Sequence, residues 1–115
     1  AAAEFTVGQR NIAAFLRTDA VCRFRAPFPE ETEWVRGCDL LFHEATFSDE
    51  HTDLARKLFH STARQAAGVA AEAGVGKLVL GHFSSRYADT GLLLAEAREV
   101  FPAAELAEEG KVFEI

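Results

Sequence analysis

The chain contains no methionine, only two cysteines and three prolines, and a single tryptophan and a single tyrosine. Lacking a methionine, it does not open on a natural start residue, and this leads us to expect a piece of a larger protein. Residues 1–5, Ala-Ala-Ala-Glu-Phe, read as a cloning scar ahead of a body spanning 6–115. Cys22 and Cys38 lie apart in a chain with no secretory signal, so they are expected to be reduced thiols of a cytoplasmic protein. No apolar run approaches the ~20 residues that span a bilayer, which argues against a membrane role. Basic residues are also scarce. Twelve Lys and Arg against eighteen Asp and Glu leave a net charge of −6, which speaks against a broad electrostatic platform for nucleic acid.

What the chain does have is material for a core. Hydrophobic residues make up 49% and charged residues 26%, the balance of a folded domain, and 115 residues suffice for one. Residues 5–25 alternate apolar with basic or polar positions and predict a pair of strands turning near Thr18-Asp19. The prolines of Ala26-Pro27-Phe28-Pro29 break regular structure, after which Glu30 to Arg36 predicts a short helix ended by Gly37. The apolar run within Asp39–Phe47 predicts a strand buried on both faces, with Phe42, Glu44 and Thr46 on one face and His43, Ala45 and Phe47 on the other. Thr62-Ala63-Arg64-Gln65 has the form of a capping box opening an alanine-rich helix over 63–73. A second buried strand over Lys77–Leu80, an amphipathic helix over 91–101 stopped by Pro102, and a last strand over Lys111–Ile115 complete an α/β pattern. Ligands of such sheets bind at the carboxyl ends of strands.

Three polar motifs lie at such strand ends or at a helix start: Phe42-His43-Glu44-Ala45-Thr46-Phe47, Phe59-His60-Ser61-Thr62 just before the 63–73 helix, and Gly81-His82-Phe83-Ser84-Ser85-Arg86-Tyr87. His82 follows a strand and can ligate a metal or simply hydrogen-bond there, while Arg86 suits bidentate phosphate recognition. Glu44 at a buried strand end is costly unless paired. With His60 it forms either a carboxylate–imidazole pair for proton transfer to a leaving oxygen, or a structural hydrogen bond. His43 is expected in the core or behind the site, His51 in solvent, and Asp39 in a turn or cap.

These motifs, in this order and spacing, resemble ribonuclease Z, the tRNA 3′-trailer endonuclease of the metallo-β-lactamase superfamily. The resemblance runs over about residues 29–115, including Glu105-Leu106-Ala107-Glu108-Glu109-Gly110 near the end, and matches the family's carboxyl-terminal half. It implies part of an αββα sandwich, a mixed sheet with flanking helices. It further implies two zinc ions that activate the water attacking a phosphodiester, a tRNA precursor as substrate, and a homodimer. By the same resemblance His82 stands at a zinc ligand, Glu44 and His60 at the proton-transfer pair, and Ser84, Arg86 and Tyr87 in the loop facing the substrate phosphate.

Departures from the family pattern limit that expectation. Its His-x-His-x-Asp-His cluster has no counterpart here, and Phe24 stands where a bridging aspartate belongs, with Asp19 nearby in a different context. One imidazole cannot hold two metal ions. The expectation is therefore a fragment of a zinc-dependent endoribonuclease, inactive without a missing amino-terminal half. The competing expectation, from a different class, is a non-catalytic α/β module that self-associates or binds a partner.

Overall fold

In the computed structural model, residues 2–7, 10–15, 32–33 and 35–113 are described. One five-stranded sheet, in the order β1-β2-β3-β4-β5, organises them. β1 (Ala2–Val7) and β2 (Arg10–Phe15) form an antiparallel pair, and β3 (Leu40–Glu44), β4 (Lys77–Gly81) and β5 (Ala104–Leu106) continue in parallel from β2. A short 3-10 turn, Asp49–His51, leads into α1 (Thr52–Lys57), followed by α2 (Ala63–Ala73) and α3 (Gly91–Val100). The mixed sheet and its helices thus realise the α/β class.

Two strand assignments differ from the sequence reading. The described hairpin reverses between Val7 and Arg10, which pair with each other, while the turn expected near Thr18-Asp19 falls outside the described residues. Gly8-Gln9, a turn-type dipeptide, separates the two strands in sequence. Residues 2–5, set apart above as a scar, belong to β1. Thr18, Asp19, Cys22 and Phe24 lie outside the described residues. The last strand is Ala104–Leu106, and Lys111, Val112 and Phe113 belong to no strand. Pro102 closes α3 so near Ala104 that the chain meets the open edge of β4 at once. Ala104 is buried there, and the Ala107 amide donates to Leu80 O at 2.7 Å.

The expected short helix before β3 is seen as helical backbone at Thr32, Glu33 and Val35, with Gly37 following at φ 72°. The Gly37 amide donates to Ala73 O at 2.8 Å and ties this segment to the end of α2. Cys38 is buried, its thiol donating to Leu40 O at 3.4 Å.

α2 shows how composition becomes packing. The Thr62 hydroxyl accepts from the Gln65 amide while the Gln65 side chain accepts from the Thr62 amide, the reciprocal capping box expected from sequence. Gly74 ends the helix in the left-handed region, where it meets no steric penalty. Ala63, Ala66, Ala67, Ala70 and Ala73 are all buried, so the helix axis approaches the sheet closely. Leu41 on β3 and Leu78 and Leu80 on β4 pack against it, with Leu93 and Ala97 of α3 closing the same core. Glu44 is paired in register with Gly81, so the ends of β3 and β4 lie side by side. That adjacency positions the site.

Candidate active site

Glu44 leaves the sheet at the end of β3 with its carboxylate buried, and its cost is offset by three bonds from Thr46 and Ser61. Oε1 accepts from the Ser61 amide at 2.6 Å, just before α2. Oε2 accepts from the Thr46 amide at 3.2 Å and from the Thr46 hydroxyl at 2.7 Å. His60 comes to the same place by a tight turn after α1. Its amide donates to Ala55 O at 2.8 Å, and Phe59 before it takes φ 58°. His82, also at φ 58°, follows β4. Left-handed backbone at non-glycine residues costs on the order of 1–3 kcal/mol each and concentrates at functional sites. Here it is confined, among the described residues, to Phe59 and His82.

The two imidazoles stack at 5.3 Å between centroids, with 21° between planes. His60 Nδ1 lies 2.9 Å and His82 Nδ1 3.0 Å from the Thr46 hydroxyl, whereas His60 Nδ1 is 3.4 Å from Glu44 Oε2. The path of short hydrogen bonds from carboxylate to His60 therefore runs through a threonine. Glu44, His60 and His82 together form a group whose ligand atoms lie within 4.8 Å of one another, a donor set of the kind zinc takes. The inward Nδ1 atoms already meet at the Thr46 hydroxyl. The imidazole atom left for a metal is Nε2, and His82 is exposed enough to offer it. These residues fit one share of a metal centre.

The loop after His82 is held down in two places. The Ser84 amide donates to Thr46 O at 3.0 Å, and Ser84 Oγ accepts from the Arg86 amide and from its Nε, both at 3.3 Å. The Arg86 guanidinium lies 5.4 Å from the centroid of the Phe47 ring, beside the site. Tyr87 is bonded across this loop. Its hydroxyl accepts from the Ser48 amide at 2.8 Å and meets Ser48 Oγ at 3.1 Å and His51 Nδ1 at 2.6 Å. His51, expected in solvent, is thus engaged, because the 3-10 turn brings it back over the loop. His43 lies in the core as expected, with Nδ1 2.7 Å from Glu44 O. Burial pushes its pKa down, against the pull of the neighbouring Glu44 charge and carbonyl.

Sequence reasoning paired Glu44 with His60 and set His82 beside Arg86, and it missed the parts played by Thr46, Ser48 and His51. Thr46 was within reach: alternation put it on Glu44's face, two residues on, with a hydroxyl to offer. Farther round, Arg64 bridges Asp49 and Glu99 at 2.7 Å each, and Glu96 accepts from the Asp49 amide at 2.9 Å. Partial burial raises the Glu96 pKa against that bond. A groove of about 490 Å³ beside this network, lined by Asp49, Arg64, Glu72 and Val100 among others, includes none of Glu44, Thr46, His60 and His82.

Comparison with known proteins now bears on this arrangement. Ribonuclease Z of Bacteroides fragilis (strain YCH46) is 54% identical over 81 residues, covering 70% of this chain and 27% of that protein. Ribonuclease Z of Salinibacter ruber is 47% identical over 104 residues, covering 90% of this chain and 30% of that protein. The chain resembles a segment of ribonuclease Z. It spans about a quarter to a third of the length of such relatives. Among solved structures, the metallo-β-lactamase fold protein YhfI of Bacillus subtilis superposes with a TM-score of 0.80 at 24% identity, over 98% of this chain and 43% of that one. Human tRNase Z, short form, gives 0.67 at 29% identity, over 92% of this chain and 34% of that one. The ribonuclease Z-like segment thus has the metallo-β-lactamase fold over nearly all its length. No family model matches it.

Proposed function

We propose that this ribonuclease Z-like chain carries the proton-transfer and phosphate-facing edge of a zinc-dependent endoribonuclease that removes 3′ trailers from tRNA precursors. The observation that carries the reading is the convergence of Glu44, His60 and His82 on one point at adjoining strand ends, in a segment up to 54% identical to proteins named ribonuclease Z. His60 is the proton donor to the leaving oxygen, and the buried Glu44 carboxylate stabilises the charged ring. Arg86 and Ser84 lie beside them to receive a phosphate. Arg86 offers planar donors in bidentate form, with no carboxylate paired to it among the described residues. Tyr87, proposed from the resemblance as a phosphate contact, serves this loop by anchoring it to Ser48 and His51. His82 would hold zinc through Nε2. Zinc, when bound, supplies Lewis-acid activation of the attacking water and of the phosphodiester.

The sequence holds no His-x-His-x-Asp-His cluster to supply the remaining zinc ligands, so the chain alone is expected not to cut. It works in the cytoplasm as a homodimer, together with an amino-terminal half bearing the His-x-His-x-Asp-His cluster. Cleavage of a pre-tRNA in zinc or manganese tests this. No trailer removal is expected from the chain alone, and removal is expected once a polypeptide carrying that cluster is added. Cleavage by the chain alone that disappears in His60→Ala would overturn the half-site reading.

A further inference from the structure

The Thr46 hydroxyl has more neighbours than it has protons. Four polar atoms lie around it: Glu44 Oε2 at 2.7 Å, His60 Nδ1 at 2.9 Å, His82 Nδ1 at 3.0 Å and His82 O at 3.0 Å. A threonine hydroxyl can donate once and accept twice. The ionised carboxylate is the closest of the four and the strongest acceptor, so it takes the single proton. With that proton committed, each ring nitrogen can be held at bonding distance only by donating its own. Two lone pairs meet two N–H groups, and the hydroxyl is saturated.

We infer that Thr46 is a positioning residue that sets the tautomer of both histidines, holding His60 and His82 with the proton on Nδ1 and the lone pair on Nε2. Neutral histidine in water carries its proton mainly on Nε2, so the pocket reverses the default in both rings. The consequence for His82 is direct. A histidine ligates a metal through an unprotonated nitrogen, and the partner of its other nitrogen decides which one that is. For His60, the ring is turned so that Nε2 is the atom that exchanges a proton with substrate, while Glu44 acts on it across the threonine hydroxyl. The catalytic meaning of this assignment rests on the ribonuclease reading, but the protonation pattern does not.

The test is long-range proton–nitrogen correlation of the imidazole rings in the 15N-labelled 115-residue chain, at a pH where both are neutral. Signals are assigned from His60→Gln and His82→Gln. The expected wild-type spectrum places N–H at Nδ1 and a lone pair at Nε2 in both rings. Thr46→Val keeps the shape of the side chain and removes the hydroxyl, and the Nδ1–H pattern should be lost from at least one ring. Thr46→Ser should restore it, with circular dichroism showing that each variant is folded. A wild-type spectrum with N–H at Nε2 in either ring overturns the inference, even if Thr46→Val does not fold. So does a folded Thr46→Val that keeps Nδ1–H in both rings. If instead the reconstituted protein never cuts pre-tRNA, the ribonuclease reading falls while this result stands.

Discussion

His43 and Thr46 lie three positions apart on one strand end and show two fates of a polar group taken from water. Thr46 meets a set of partners that uses its whole bonding capacity. His43 is sunk against the core with Nδ1 on the Glu44 carbonyl, and burial there disfavours the charged ring. Its folded pKa therefore lies below the ordinary value of about 6.5, and the unfolded chain binds this proton more readily than the folded one. Stability is fully present above that value and is lost as pH falls through it towards the folded pKa, with a slope of at most about 1.4 kcal/mol per pH unit from this group. Thermal melting of wild type and His43→Gln between neutral and mildly acidic pH checks this. The wild-type midpoint should fall faster on acidification, and parallel curves would show that His43 does not carry the effect.

At the scale of elements, the site depends on how closely β3 and β4 run at their ends. A Cβ built on Gly81 would lie 2.4 Å from Phe42 Cζ and 2.9 Å from Cε2, so the Phe42 ring occupies the space that a side chain there would need. Gly81→Ala is expected to lower stability by about 1–3 kcal/mol, as overpacking does. In urea melts, Phe42→Leu added to it should recover part of that loss. An unchanged midpoint for Gly81→Ala would mean that the Phe42 ring swings aside without cost. Local chemistry of this kind is what sequence shows well. The Thr62–Gln65 box, the alanine helix and the short apolar strands are written within a few residues of themselves. Pairings across the chain are not. Tyr87 meets His51 and Ser48 only because the loop after β4 folds over the 3-10 turn. The edge strand at Ala104–Leu106 is chosen by the open side of β4 rather than by its own weak strand propensity. The Glu44 carboxylate was legible as a group in need of partners and alternation put the Thr46 hydroxyl on its face, but the arrival of His60 and His82 at that hydroxyl was not legible, since only the folded turns bring them there.

For the whole molecule, the described helices α2 and α3 build one core with Leu41, Leu78 and Leu80 on a single face of the sheet. Leu58, Phe59, Leu92 and Val100 meanwhile remain substantially exposed. Burying such apolar surface favours association. Sedimentation velocity of the purified chain is expected to show a dimer, with a melting temperature that rises with protein concentration. A strictly monomeric species melting at one temperature throughout would count against this. Three separate stretches of the molecule meet at one threonine, 14 residues from His60 and 36 from His82. Because one hydroxyl gives its proton to Glu44 and its two lone pairs to the two rings, neither histidine can change its chemistry without altering what the hydroxyl offers the other. A library diversified at one motif at a time would sample mostly broken sites. Variants that keep the site are expected to come from changes drawn jointly from all three motifs.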